Sequence, residues 1–465
     1  MKKNFGKIAV FWDNSYLWGL IAWRAFADLG LDFELLTAEQ IRTGALDGSD
    51  VLFVPGGWAS DKILSLGDEG ARRIREFVRA GGGYLGFCGG AGLALTHKSG
   101  LGLTPIGRLP ASIRVPSFSG RIGLRLEDGA HPAWQGIAGE TEFYAWWPGQ
   151  FALGPEAAEV RVLARYGRPG SDSYVTDLPV DPHVDWNAWE QSYGINLNPE
   201  RIEGEPAVIE AAFGEGRVLL SYLHFETPGD AAGHQVLLNM LGYLRGAPAD
   251  REAARESTVK AHAAVGRGLW RAPAPSAASA PEAASEAARE AAAAAAIERA
   301  AAALTGPQAE AAALAGSLAE AAQLLEFGRR NFLWFQRNDW LLQWRRGVRG
   351  IEYSTLYAML RQLAELAGKD AAARRDDRPA TGGIDSEMLA RLNELVTSFV
   401  EDAPSLLMLE RRALGQGPLS PLMTEDPQIA ALRERLFSTT KRCGGLYREI
   451  VDLADTILLP MLRRT

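Results

Sequence analysis

A thiol flanked by glycines, in the run GFCGG at residues 86–90, is the position in this chain best suited to covalent chemistry. The apolar residues before Cys88 read as a buried strand, and Gly89 and Gly90 as a sharp turn out of it. A nucleophile at a strand-to-helix elbow sits in strained backbone with little room, so small residues must surround it. The next residues, AGLAL, suit a helix, whose N-terminus favours a thiolate and whose backbone N–H groups can bind a developing oxyanion. Taken alone, Gly-x-Cys-x-Gly fits equally well a buried structural cysteine in a glycine-rich turn.

A catalytic thiol needs a base, and the base needs an orienting carboxylate. His224 and Glu226, in SYLHFET, follow the strand predicted for RVLLSYL and share one face of the chain if the backbone stays extended. A capping or core histidine at a strand end is the competing reading of His224. Pro55, Gly56 and Gly57 end the predicted strand DVLFV. In a doubly wound sheet that strand neighbours the one carrying Cys88, so N–H groups around Gly57 and Gly89 are expected to converge on one oxygen. Gly56, Trp58, Gly90 and Trp147 are the expected lining of a substrate pocket. Trp146, Trp186 and Trp189 suit either such a lining or the packing of loops onto the sheet.

The elements that must position these residues are legible as alternation. From residue 6 to about 125 the order is IAVFW, a helix to Leu29, DFELLT, DVLFVPGG, the helix DEGARRIREFVRAGG, then GYLGFC. This is the βαβα pattern of an α/β doubly wound, mainly parallel sheet of the flavodoxin-like kind, with sites at the carboxyl ends of its strands. Short strands and turns follow to about 205, with an aromatic section, EFYAWWPGQF, and a long polar loop over 165–200. A hairpin through Gly214 and Gly216 then leads to His224, and the helix AGHQVLLNMLGYLRG closes a first domain, 1–246. Residues 247–307, rich in Ala and Pro, have too few large side chains for a core and read as a linker, partly helical or disordered. Amphipathic segments over about 308–366, 384–412 and 426–463 predict an all-α helical bundle, 308–465. In it, FLWFQRNDWLLQWRRGVRGIEY reads as an aromatic-basic helix whose aromatics form core and whose arginines face water.

Composition excludes several classes of function. A net charge of −8 gives no electrostatic reason to expect nucleic acid or an anionic membrane as partner. Two cysteines far apart, Cys88 and Cys443, suggest neither a disulfide framework nor a zinc site, and a reducing cytoplasm is the expected location. Charges at Asp13 and Arg24 interrupt the first apolar stretch before the length of a signal peptide or a membrane span. Asp181, His183 and Asp185 alternate like metal ligands but lie in a Pro-containing loop without a second histidine, so no metal and no cofactor is expected. His97, nine residues beyond Cys88, belongs to the far end of the elbow helix and is read as structural.

The order Pro-Gly-Gly, then Gly-x-Cys-x-Gly, then a late His-x-Glu resembles the class I glutamine amidotransferases. Within that superfamily FVPGGW, IREFVRAGGGYLGFCGGAGLAL, FYAWWPGQF and AFGEGRVLLSYLHFE are most similar to the N-terminal domain of biotin-protein ligases, over about residues 6–246. The resemblance implies Cys88 as nucleophile, His224 as base, Glu226 as its orienter, and Gly57 with Gly89 as oxyanion donors acting on a small amide. The family's His-Pro-Glu is His224-Phe225-Glu226 here, which is expected to loosen the turn. No glycine- and arginine-rich adenylate-binding segment follows residue 246, so biotin ligation is not expected. The alternative is a non-catalytic ligand-binding or scaffold module whose helical tail recruits a protein partner.

Overall fold

Strands that are apolar on both faces can be satisfied only with helices packed on each side, and the N-terminal unit meets that requirement. The computed structural model describes residues 3–98, 100–139, 141–245, 307–375, 384–421, 423–438 and 444–464. The Ala-rich stretch 247–306 and Cys443 lie outside them. The chain divides into two compact units, Met1–Val265 and Gly266–Thr465.

In the first unit β1 (Lys3–Phe11), β2 (Leu31–Leu36), β3 (Val51–Val54), β4 (Gly83–Phe87) and β13 (Gly216–Ser221) run parallel in the spatial order β2-β1-β3-β4-β13. Helices α1 (Tyr16–Asp28), α2 (Ala38–Arg42) and α3 (Ala59–Arg79) connect the first four. Every residue of β3 and β4 is buried, which explains their unbroken apolar sequence. Beyond β13 the sheet becomes antiparallel through β12 (Pro206–Phe213), β9 (Arg161–Pro169) and β6 (Phe118–Leu126). Strands β7 (Glu142–Trp146), β10 (Tyr174–Val175) and β11 (Leu178–Pro179) complete eleven, so the sheet is mixed, with its parallel half carrying the elbow. A separate ribbon pairs β5 (Gly107–Arg108) with β8 (Phe151–Ala152). Helix α4 (Gly89–Ala94) starts directly after Cys88, and α6 (Ala231–Arg245) ends the unit's described residues.

The polar loop at 165–200 is more ordered than its sequence suggests. It holds α5 (Trp186–Tyr193), started by Asp185, whose carboxylate accepts from the Ala188 N–H, and ended by Gly194 in the left-handed region. Trp189 packs against Tyr193 there, the rings tilted by 44°, and remains partly exposed.

The second unit is a helical bundle of α7 (Pro307–Arg330), α8 (Ile351–Arg375), α9 (Ser386–Leu414), α10 (Pro427–Phe437) and α11 (Gly445–Leu462). One expectation fails in it: the aromatic-basic stretch is a hairpin of β14 (Trp334–Gln336) and β15 (Leu342–Trp344), not a helix. Asn338 explains the difference, since its side-chain oxygen accepts from the Trp340 and Leu341 N–H groups and folds the chain into a turn. Trp334, Trp340 and Leu341 do enter the core, but Phe332 is exposed, and Arg349 is buried instead of facing water. Among the described residues no helix is long and apolar enough to cross a membrane.

The elbow depends on backbone meeting backbone. A Cβ added to Gly90 would lie 1.9 Å from the Val54 carbonyl oxygen, a contact that no rotamer change relieves. Gly90→Ala is therefore expected to destabilise the sheet at β3 and β4 by roughly 1–3 kcal/mol. Hydrogen–deuterium exchange of peptides spanning 51–57 and 83–92 in the full chain measures this as lost protection.

Candidate functional site

Cys88 stands where β4 ends, and its backbone is strained as an elbow requires: φ is 48° and ψ −105° in a residue that carries a Cβ. Two hydrogen bonds hold it there. Its N–H donates to the Ser221 carbonyl at 2.8 Å, and its own carbonyl accepts from the Gly92 N–H at 2.9 Å. The thiol is half-buried.

The neighbouring glycines make the approach possible. A Cβ on Gly89 would fall 1.9 Å from the Gly57 carbonyl oxygen and 3.0 Å from its nitrogen, so the Pro55–Gly57 loop lies directly against the elbow. Gly57 itself has φ +106°, and a Cβ there would sit 2.8 Å from the Asn14 carbonyl. Only glycine fits that position. The two loops lie in contact, and the group nearest Gly89 is the Gly57 carbonyl, an acceptor, rather than its N–H.

His224 and Glu226 are fully buried and joined, Nδ1 to Oε1, at 2.7 Å. They meet across a turn, since the ladder ends at Ser221, and not along an extended strand as expected. Nor is the turn loose for want of proline. Phe225 is buried among Phe87, Trp134 and Phe143, with ring centroids 5.6, 6.4 and 5.2 Å away. The His224 N–H donates to the Tyr144 carbonyl, and the Thr227 hydroxyl donates to the His224 carbonyl while accepting from the Trp146 indole. Packing and hydrogen bonds replace the restraint of a pyrrolidine ring.

Burial alone would push the His224 imidazole down, but the adjoining Glu226 carboxylate and the Cys88 thiol outweigh it and hold the pKa at about 10. Nδ1 is occupied by Glu226. Nε2 is buried and makes no hydrogen bond among the described residues, and the Cys88 thiol acts on the ring electrostatically. The arrangement can hold an imidazolium beside a thiolate or pass a proton between them.

Three neighbours escape a reading of the sequence. Trp18, on α1, stacks on the His224 ring at 4.4 Å and 28°. Its edge meets Trp147, which has φ 51° at the end of β7, and a Cβ on Gly56 would lie 2.8 Å from the Trp18 ring. Lys62, fully buried, bonds to the Ser15 hydroxyl and to the Asn14 carbonyl, tying the turn after β1 to α3, the helix that follows the Pro55–Gly57 loop. Tyr222, between the ladder and His224, is also buried. The positive φ of Asn14 and Tyr16 makes the turn that brings Trp18 in, and the WDNSY sequence after an apolar strand is the available signal. Trp58 caps α3 and is about half exposed. His97, just beyond α4, donates its Nε2–H to the Gly92 carbonyl at 2.9 Å. Asp181 accepts from the His183 N–H in a local turn, and among the described residues no group of acids, cysteines and histidines could hold a metal.

Fold and site together define an α/β module whose doubly wound sheet carries a cysteine elbow beside a buried His-Glu pair. Residues 38–97, from α2 through the elbow helix, match the family model described as Biotin-protein ligase, N terminal. No curated protein matches the chain. Among solved structures, a Thermoplasma acidophilum protein named for a GMP synthase subunit is similar at 15% identity, covering 55% of this chain and 99% of that one, with a TM-score of 0.35. PurLQS from Thermotoga maritima is similar at 17% identity, covering 52% of this chain and 100% of that one, with a TM-score of 0.33.

A raised imidazole stabilises the fold in a defined window. The His224–Glu226 pair contributes fully below the ordinary histidine value of 6.5 and ceases to contribute as pH rises through about 10. Glu226→Gln removes the carboxylate that does most to offset burial, so the imidazole is expected to titrate lower than in the wild type. Urea unfolding at a series of pH values should show the stability gap between wild type and Glu226→Gln widest at the acid end and closing toward pH 10. A gap that widened with pH would contradict this origin of the shift.

Proposed function

We propose that the N-terminal unit is a cysteine-dependent amidase or amidotransferase-like hydrolase of small amides. The observation that carries the reading is the buried His224–Glu226 pair at 2.7 Å with Nε2 left for the strained Cys88 elbow. In this reading the Cys88 sulfur attacks the amide carbon, and negative charge develops on the carbonyl oxygen. N–H groups of the Gly89 and Gly57 loops stabilise that oxyanion. The His224 imidazolium gives its proton to the departing nitrogen, ammonia leaves, and a thioester remains on Cys88. His224, now neutral, takes a proton from water as the oxygen attacks the thioester, which releases the carboxylic acid and restores the thiol. Glu226 fixes the ring's orientation and favours its charged form. Trp18 keeps one ring face dry.

A second reading, a module that binds a ligand without turnover, is favoured by the complete burial of the imidazole under Trp18. The two readings separate on the reactivity of one sulfur. In the full-length protein, iodoacetamide should alkylate Cys88 far faster than an unactivated thiol, and His224→Ala should slow it by ~10²–10⁴-fold with circular dichroism unchanged. Ammonia release from glutamine and other small amides should disappear in Cys88→Ser. Equal labelling of wild type and His224→Ala, mapped to Cys88 by peptide mass spectrometry, would overturn the enzymatic reading.

A further inference from the structure

The residue next to Cys88 across the sheet carries a polar atom that neither fold nor mechanism uses. Phe87 pairs with Ser221 in the parallel ladder, so the next residues on the two strands, Cys88 and Tyr222, emerge side by side at the sheet's carboxyl edge. Tyr222 is 1% exposed, and its hydroxyl makes no hydrogen bond among the described residues. A buried hydroxyl without a partner costs on the order of 1–3 kcal/mol, a cost a ligand can remove.

The surroundings of that hydroxyl are cationic. The Tyr222 ring packs against Phe151 at 4.4 Å with the rings tilted by 39°, and Phe151 pairs in β8 with Arg108 of β5. The Gln150 carbonyl accepts from the Leu109 N–H, and its side chain accepts from the Val115 N–H at 2.8 Å, so the segments carrying Arg108 and Arg114 are both fastened to the strand that covers the phenol. Among the described residues Arg108 is exposed and makes no ion pair or side-chain hydrogen bond. Burial pushes the Tyr222 phenol well above its ordinary value, with Arg108 pulling it down, Cys88 pushing it up and Arg114 pulling it down, which places all three within electrostatic reach of the hydroxyl.

We infer that Tyr222 and Arg108 form a subsite next to Cys88 for an anionic group of the substrate, and that the amide taken carries a net negative charge, as a carboxylate or phosphate. This rests on the Cys88-His224-Glu226 reading and adds to it a substrate class. The phenol donates to the anion's oxygen, Arg108 supplies the opposing charge from the rim, and the amide carbon is thereby held toward the sulfur. A neutral amide gains nothing from either group.

Alkylation with a charged and a neutral reagent of one size tests this. Sulfur displaces iodide from both iodoacetate and iodoacetamide, and the quantity read is the ratio of the two rates at Cys88, mapped by peptide mass spectrometry in the full-length protein. Relative to 2-mercaptoethanol, the ratio for Cys88 should favour iodoacetate by about tenfold or more at low salt and shrink as salt is added. Arg108→Gln, at an exposed position, should return the ratio most of the way to that of 2-mercaptoethanol, and Tyr222→Phe part of the way. A wild-type ratio equal to that of 2-mercaptoethanol, or one that Arg108→Gln leaves unchanged, overturns the subsite. The absolute iodoacetamide rate and its dependence on His224 report separately on the underlying catalytic reading, so failure of one is distinguishable from failure of the other.

Discussion

The close approach of two strand ends, glycine backbone on glycine backbone, is the constraint from which the rest of this site follows. Gly89 lies against Gly57 and Gly90 against Val54, with no space for a single added carbon at either contact. Because β3 and β4 are parallel neighbours in register, Val54 opposite Gly86, their loops leave the sheet at the same level. That shared exit puts the thiol and the Pro55–Gly57 backbone on one small volume. The strain at Cys88 is the local cost of that placement, and the bonds of its N–H and carbonyl to Ser221 and Gly92 sustain it.

How much of this is legible in the sequence depends on whether local chemistry or spatial assembly decides it. The elbow, the Pro-Gly-Gly loop and the buried strands are readable because each needs special residues in consecutive positions: small ones beside a nucleophile, apolar ones on both faces of a strand. Trp18 and Lys62 are not, because an indole and an ammonium on helices α1 and α3 carry no mark of where their tips end. The His-Phe-Glu departure misleads for the same reason. Proline restrains a turn locally and is visible as a restraint, whereas Phe225 restrains it through ring contacts with residues 82 to 138 positions away. The hairpin at 334–344 reads as helix because aromatic spacing suits either element, and a single asparagine decides between them.

The helical unit shows buried charge used for position rather than for chemistry. Arg433 is fully buried and bonds at once to Glu410 of α9, to the Ser420 carbonyl, and to the carbonyl of Gly347 after the hairpin. Burial pushes the Glu410 carboxyl up to about 7 even against that guanidinium. Such a pair adds little net stability compared with well-packed apolar residues, but it fixes which loops meet. That explains how a short hairpin, which would not persist alone, is held inside a bundle.

The same accounting of charge ties the two halves of the catalytic proposal together. With the imidazole protonated and the thiol ionised, Glu226, His224 and Cys88 sum to one negative charge in a water-poor setting, where Coulomb terms are strong. An anionic amide would then be repelled by the sulfur that must attack it. Cations at the rim, Arg108 among them without an ion pair to any described residue, answer that repulsion, and a donor hydroxyl on the residue adjoining Cys88 fixes the distance of approach. In that proposal the cluster that would activate the thiol creates the need for Arg108 and Tyr222: a neutral substrate would have no use for them, and an anionic one would be turned away without them.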